Sequence, residues 1–168
     1  ICQCFDQVAD MKGANSVEKK KRILINMFKS FQILAPKEVA EFYLFATGRL
    51  EAEYLQEDLG VRPETMIKAC SAATGGDKKA IKEEITVKGD LGKVIEDRKS
   101  KTQTVDTFFT KAKCGKRLTF AFVFSEIKKL TKFSGQKEKE GILQGLIFDC
   151  TGIEAKYVIR FLQSGNFK

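Results

Sequence analysis

Apolar residues recur at three- and four-residue spacing along almost the whole chain, and strict apolar–polar alternation, the mark of a half-buried strand, is nearly absent. Only two prolines, Pro36 and Pro63, interrupt that helical period. A chain patterned in this way can bury its apolar stripes only by packing helix on helix, so the expected fold is all-α, a compact multi-helix domain. Ile23, Leu24, Met27, Phe28 and Phe31 form one stripe behind a basic run at 19–22. Val39, Phe42, Tyr43 and Ala46 form the next, with Pro36 suited to its first turn and Gly48 to its end. Residues 49–62 read as a connector, and Pro63 starts a helix carrying Met66, Ile67 and Cys70 that stops at Gly75 and Gly76. Asp77 and Asp90 are candidate N-caps on either side of a stop at Gly89, the second for a short helix with Leu91, Val94 and Ile95 inward. Residues 98–117 then read as an exposed basic loop with two aromatics. Thr119 is a candidate cap for a helix bearing Phe120, Val123, Phe124, Ile127 and Leu130. The following helix buries Ile142, Leu143, Leu146, Ile147 and Cys150, and the last starts near Ile153. Gly141 and Gly145, four apart, are expected to admit a neighbouring backbone.

Charge and residue types narrow the function. Thirty Lys and Arg against 22 Asp and Glu give +8, which favours a polyanionic partner such as nucleic acid or an anionic membrane surface. There is no His, which removes His general bases, Ser–His and Cys–His nucleophile pairs and most zinc sites. The five Cys (Cys2, Cys4, Cys70, Cys114 and Cys150) contain no CxxC, and Cys70 and Cys150 fall on apolar faces, as small core residues in a reducing compartment do. No metal site is expected. No apolar run approaches the ~18 residues that a spanning helix needs, so a membrane segment is not expected. The chain begins at Ile1 without Met or a signal peptide, and is expected to be a fragment of something longer.

Two stretches echo one another. EKKKRILINMFKSF resembles KEKEGILQGLIFDC, and KEVAEFYLFATGRL resembles IEAKYVIRFLQSGNF: each pair has the same apolar stripe, and the second ends in a short Gly loop and an apolar residue. This suggests pseudo-twofold related helical hairpins, presenting the loops at Gly48 and Gly165 as paired grips on a twofold-symmetric duplex backbone.

FDQVAD, LGV followed by a helix and ATGG, KGDLGKVIEDRKSKTQ, LTFAFVFSEIKKLTKFSG and EAKYVIRFLQSGNFK occur here in that order. In this the chain resembles, over essentially its whole length, the N-terminal DNA-binding domain of eukaryotic and archaeal ATP-dependent DNA ligases, nearest to the DNA ligase I type. The resemblance implies a single DNA-binding domain over 1–168, monomeric, gripping nicked duplex DNA through the minor-groove backbone without sequence specificity during nick sealing in replication, repair and recombination. It implies an enzyme only in the parent protein, with ATP and Mg2+ as that enzyme's cofactors and none in this fragment. No KxDG occurs, so the lysine that accepts AMP is missing from this chain. The implied compartment is the nucleus if the source is eukaryotic, and otherwise the cytoplasm.

Short Gly loops at helix ends can offer backbone N–H groups to phosphates, and helix N-termini add a favourable dipole. The candidate DNA-binding residues are therefore Gly48 and Arg49; Gly60, Arg62, Thr65 and Lys68; and Ser164, Gly165, Asn166 and Lys168. Arg98, Lys99, Ser100, Lys101 and Gln103 form a basic, hydroxyl-rich strip that matches the family segment after GDLG. Gln103, Val105, Phe108 and Phe109 resemble a shortened sliding-clamp box, which makes the clamp a second candidate partner. The alternative reading is a non-catalytic all-α protein-interaction domain, for example one that binds the clamp.

Overall fold

The computed structural model describes residues 1–51, 59–109 and 118–164, with the backbone alone over 102–109. These residues are helical with no strand, as the period requires. The elements are α1 (Cys2–Asp10), α2 (Ser16–Leu34), a 3-10 turn (Pro36–Glu38), α3 (Val39–Ala46), α4 (Pro63–Thr74), α5 (Lys78–Lys88), α6 (Leu91–Phe109), α7 (Phe120–Lys132), α8 (Gln136–Asp149) and α9 (Gly152–Ser164).

Local chemistry sets most of these boundaries. The Thr119 hydroxyl accepts the Phe122 N–H at 3.3 Å to start α7, and Asp90 Oδ1 accepts the N–H groups of Gly92 at 2.8 Å and Lys93 at 3.3 Å to start α6. Gly75 and Gly89 end α4 and α5 in the left-handed conformation. Asp77 holds the N-cap position of α5, but its side chain makes no capping hydrogen bond.

Two expectations are corrected. The helix capped by Asp90 is not short. It runs for 19 residues to Phe109, so the expected loop from 98 onward is helical as far as 109; residues 110–117 lie outside the described residues. No Gly or Pro follows Gly92 in that stretch, and its charges and hydroxyls suit an exposed helix face as well as a loop. Among the described residues Gly141 and Gly145 admit no neighbouring backbone, because a Cβ at either would meet nothing within 4 Å. They sit on the solvent side of α8.

The close approach is made elsewhere. The most extensive helix pairings are α4 on α8 and α6 on α9. On α6, a Cβ at Gly92 would sit 2.8 Å from the backbone oxygen of Lys156. On α9, a Cβ at Gly152 would sit 3.1 Å from the backbone oxygen of Glu96. The two glycines thus interlock an antiparallel pair, 92 against 156 and 152 against 96. Fully buried Val94, Ile95, Ile127, Leu143, Ile147, Ile159 and Leu162 fill the space between helices. A Phe cluster ties α2 and α3 to this core: Phe31 stacks on Phe42 at 4.2 Å, and Phe120 meets Phe42 and Phe45 edge-on, each at 5.6 Å.

Polar groups lock the same region. Lys156, 4% exposed, places its ammonium 2.6 Å from Asp6 and 2.8 Å from Glu96, joining α1, α6 and α9. Tyr157 donates to Asp6 at 2.6 Å, and the Arg160 guanidinium grips Asp90. Burial pushes the carboxyls of Asp6 and Glu96 up, but hydrogen bonds from Lys156, with Tyr157 on one and Lys93 on the other, hold both below the usual carboxylate range. Cys70 and Cys150 are core residues as expected, and burial pushes each thiol up to about 12.

In an exposed helix Gly→Ala stabilises by about 1 kcal/mol. Gly92→Ala is expected to reverse that sign and cost about 1–3 kcal/mol by urea unfolding, since the new methyl must push α6 off α9. Lys156→Met, which takes the shared ammonium from Asp6 and Glu96 and leaves them only Tyr157 and Lys93, is expected to cost about 3 kcal/mol at pH 7. Because folding lowers both carboxyl values, the unfolded chain binds more protons. Wild-type stability is therefore full above about pH 4–5 and falls as pH drops through the folded values. In Lys156→Met the loss relative to wild type should shrink on acidification, and a pH-independent difference would contradict the network.

Candidate nucleic-acid interface

Three segments hold the candidate residues, and the structure divides them between fold and surface. At the end of α3, Gly48 has φ +73. Its N–H donates to the Phe45 carbonyl at 3.0 Å, and the Arg49 N–H donates to the Leu44 carbonyl at 2.8 Å, which closes the helix in a Schellman motif. Those two N–H groups are therefore engaged in capping α3, which removes the argument that this loop offers them to phosphate. The same loop lies against the end of α9: a Cβ at Gly48 would come within 2.8 Å of Ser164 Oγ, and Phe45 stacks on Phe161 at 4.6 Å. The ends of the two echoing helices are thus side by side. Ser164 is exposed; Gly165, Asn166 and Lys168 lie outside the described residues.

The second segment is the turn into α4. Leu59 and Val61 are buried, each 3% exposed, and anchor it to the core. Gly60 takes φ +54, a conformation that favours glycine. Arg62 sits extended at the N-cap position with Pro63 at the first helical position. Arg62 and Lys68 are exposed. Thr65 is not: it is 5% exposed, and its hydroxyl donates to Gln136 Oε1 at 2.7 Å, so it is turned to α8 rather than to a ligand. Behind the turn lies a cleft of about 670 Å3, floored by Val61, Met66 and Leu91 and edged by Ile67, Ile85 and Gln163.

The third segment, on α6, is divided most sharply. Lys99 is 8% exposed, and its ammonium donates to the backbone oxygens of Ile147 and, at 3.0 Å, Phe148, which are carbonyls in the last turn of α8. A cation there satisfies orphan carbonyls and opposes the negative end of the helix dipole. Burial nevertheless lowers its pKa below the ordinary lysine value. Lys99 therefore does not reach the surface strip expected of it. Arg98 is half-buried and grips Glu84 with two hydrogen bonds, at 2.7 and 3.2 Å. Ser100 donates to the Glu96 carbonyl at 2.8 Å. Lys101 is exposed. Gln103, Val105, Phe108 and Phe109 lie on the helical backbone of α6, and their side chains are outside the described residues.

Arg62, Lys68 and Lys101 enter no ion pair among the described residues. Sequence reading missed Gln136 and Lys139, the two side chains of the first turn of α8 that hold the α4 turn. A polar residue opening a helix reads as solvated, so no local signal marks them. Among the described residues no cluster of three His, Cys, Asp or Glu could hold a metal ion, and no helix is long and apolar enough to cross a membrane.

Residues 1–166 match the family model for the DNA ligase N terminus. The chain is 30% identical over 145 residues to DNA ligase 1 of Dictyostelium discoideum, covering 83% of this chain and 11% of that protein. It is 28% identical over 167 residues to a DNA ligase of Methanocaldococcus jannaschii, covering 96% of this chain and 27% of that protein. With DNA ligase 1 of Schizosaccharomyces pombe it shares 30% identity over 131 residues, 76% of this chain and 16% of that protein. The chain thus spans about a quarter or less of the length of these relatives.

Lys99 and Lys101, two residues apart, are expected to differ in kind. Lys99→Met should cost about 1–3 kcal/mol in chemical denaturation by leaving buried carbonyls unpaired. Lys101→Ala should stay within about 0.5 kcal/mol of wild type. Equal effects would contradict the division.

Proposed function

This chain belongs to the DNA ligase N-terminus family, and from that premise we propose that it is the DNA-gripping module of an ATP-dependent DNA ligase, holding nicked duplex through its sugar–phosphate backbone. The carrying observation is a group of exposed cations at α4 and α6 that lie outside the internal ion pairs. Lys99 and Lys156 are turned into the fold, whereas Arg62 at the N-cap of α4, Lys68 on α4 and Lys101 on α6 are exposed and enter no ion pair within 4 Å among the described residues. Exposed cations outside ion pairs can neutralise phosphates without first breaking an internal salt bridge. Such contacts carry no base code, which suits a protein that must act wherever a nick falls.

Replication, repair and recombination follow as settings for this reading, and a nucleus as its compartment in a eukaryote. The sequence has no KxDG, so ATP and Mg2+ are read here as cofactors of the parent enzyme. In this reading adenylation belongs to the remainder of the parent enzyme. Contact with the sliding clamp through Gln103, Val105, Phe108 and Phe109 is a separable proposal. Titration with the clamp tests it, and binding unchanged by Phe108→Ala with Phe109→Ala contradicts it.

A labelled nicked duplex should bind with affinity falling log-linearly in salt and with no preference among sequences. Replacing Arg62, Lys68 and Lys101 together by Ala should reduce the magnitude of that slope by up to about three. A flat salt response would instead favour an all-α protein-interaction domain.

A further inference from the structure

The turn that carries Arg62 is held by side chains from another helix. Gln136, the first residue of α8, donates through Nε2 to the Gly60 carbonyl at 2.8 Å. Its Oε1 accepts from the Thr65 hydroxyl at 2.7 Å and from the Arg62 N–H at 3.4 Å. One side chain thus ties down three positions of the turn with both ends of its amide. Lys139, three residues on and so on the same face of α8, adds a fourth tie by donating to the Leu59 carbonyl at 2.6 Å. Lys139 is 4% exposed, and α8 behind it is rooted in the core by Leu143, Leu146 and Ile147.

We propose that Gln136, assisted by Lys139, is a positioning residue for DNA: it touches no phosphate but fixes the direction in which the Leu59–Thr65 turn presents Arg62 and the first turn of α4. The inference rests on the DNA-binding reading above and adds the part that aims it. Leu59 and Val61 would keep the turn attached without Gln136, because both are buried. Apolar burial does not set direction, however. The ties at Gly60, Arg62 and Thr65 do so, and they also satisfy polar groups that would otherwise need water. A turn already ordered in the free protein spares its ordering at the moment of binding. Without the ties, that ordering falls on the DNA complex and weakens it.

The test uses this chain and a fluorescently labelled nicked duplex, titrated across a salt series. Gln136→Ala and Thr65→Val are each expected to raise Kd about tenfold at every salt concentration, giving a line parallel to wild type, because no phosphate contact is lost. Thr65→Ser keeps the hydroxyl donor and should restore wild-type affinity. Arg62→Ala with Lys68→Ala should instead lower the slope by up to about two. Thermal unfolding run alongside keeps every titration below the unfolding range, and Thr65→Val serves if Gln136→Ala folds poorly. The positioning role is overturned if Gln136→Ala and Thr65→Val bind as wild type while Arg62→Ala with Lys68→Ala lowers the slope; DNA binding through α4 then stands without it. It is also overturned if Thr65→Ser is as weak as Thr65→Val. If Arg62→Ala with Lys68→Ala changes neither affinity nor slope, the DNA reading of this surface falls first and the positioning role with it.

Discussion

The Lys156 ammonium, almost sealed from solvent between Asp6 and Glu96, is the contact on which the rest of this architecture depends. It joins the first helix to the sixth and ninth, and it lies where α6 and α9 come closest, with Gly92 seated over the backbone oxygen of Lys156 itself. A cation so buried is costly unless its partners are well placed. Here two carboxylates serve, supported by Tyr157 on Asp6 and Lys93 on Glu96. Neighbouring Arg160 repeats the arrangement on Asp90, whose other oxygen caps α6. Helix start, helix pairing and charge burial are thus one cooperative unit.

That unit explains why three separated motifs occur in one chain. FDQVAD contributes Asp6, KGDLGKVIED contributes Asp90, Gly92 and Glu96, and EAKYVIRFL contributes Lys156, Tyr157 and Arg160. Each looks like an unrelated charged stretch in the sequence, and folding brings them together. The chain spends part of its basic charge in this way, inside the fold. Lys99 on the end of α8 and Lys139 on the Leu59 carbonyl follow the same rule. The formal +8 therefore overstates how locally any one basic stretch can serve a ligand. What remains at the surface of α4 and α6 is a smaller set of cations, Arg62, Lys68 and Lys101 among them.

Much of the fold was legible because it depends on local chemistry. Thr119 and Asp90 accept the N–H groups expected of them, Gly75 and Gly89 stop their helices, and the apolar stripes of α7 and α9 reach the core. The candidate interface was less legible because periodicity reports which face is apolar and not where a long polar side chain ends. Lys99 and Lys101 look equivalent in RKSKTQ, yet Lys99 faces the carbonyls of α8 and Lys101 faces water. Glycine spacing misled for a related reason. Gly141 and Gly145 share a face that meets no other described residue, whereas Gly92 and Gly152 share no sequence pattern and interlock only because α6 and α9 pair. Gln136 gave no signal, since its partners are more than 70 residues away.

Some basic residues hold the fold, and in the proposed function others are free to meet DNA. Lysine acetylation footprinting with and without nicked duplex tests it most directly, because each ammonium reports its own access. Lys99, Lys139 and Lys156 should be unreactive in both states, while Lys68 and Lys101 should react freely alone and be protected by DNA. Ready modification of Lys99 in the free protein, or equal modification of Lys68 and Lys101 with and without DNA, would contradict the account.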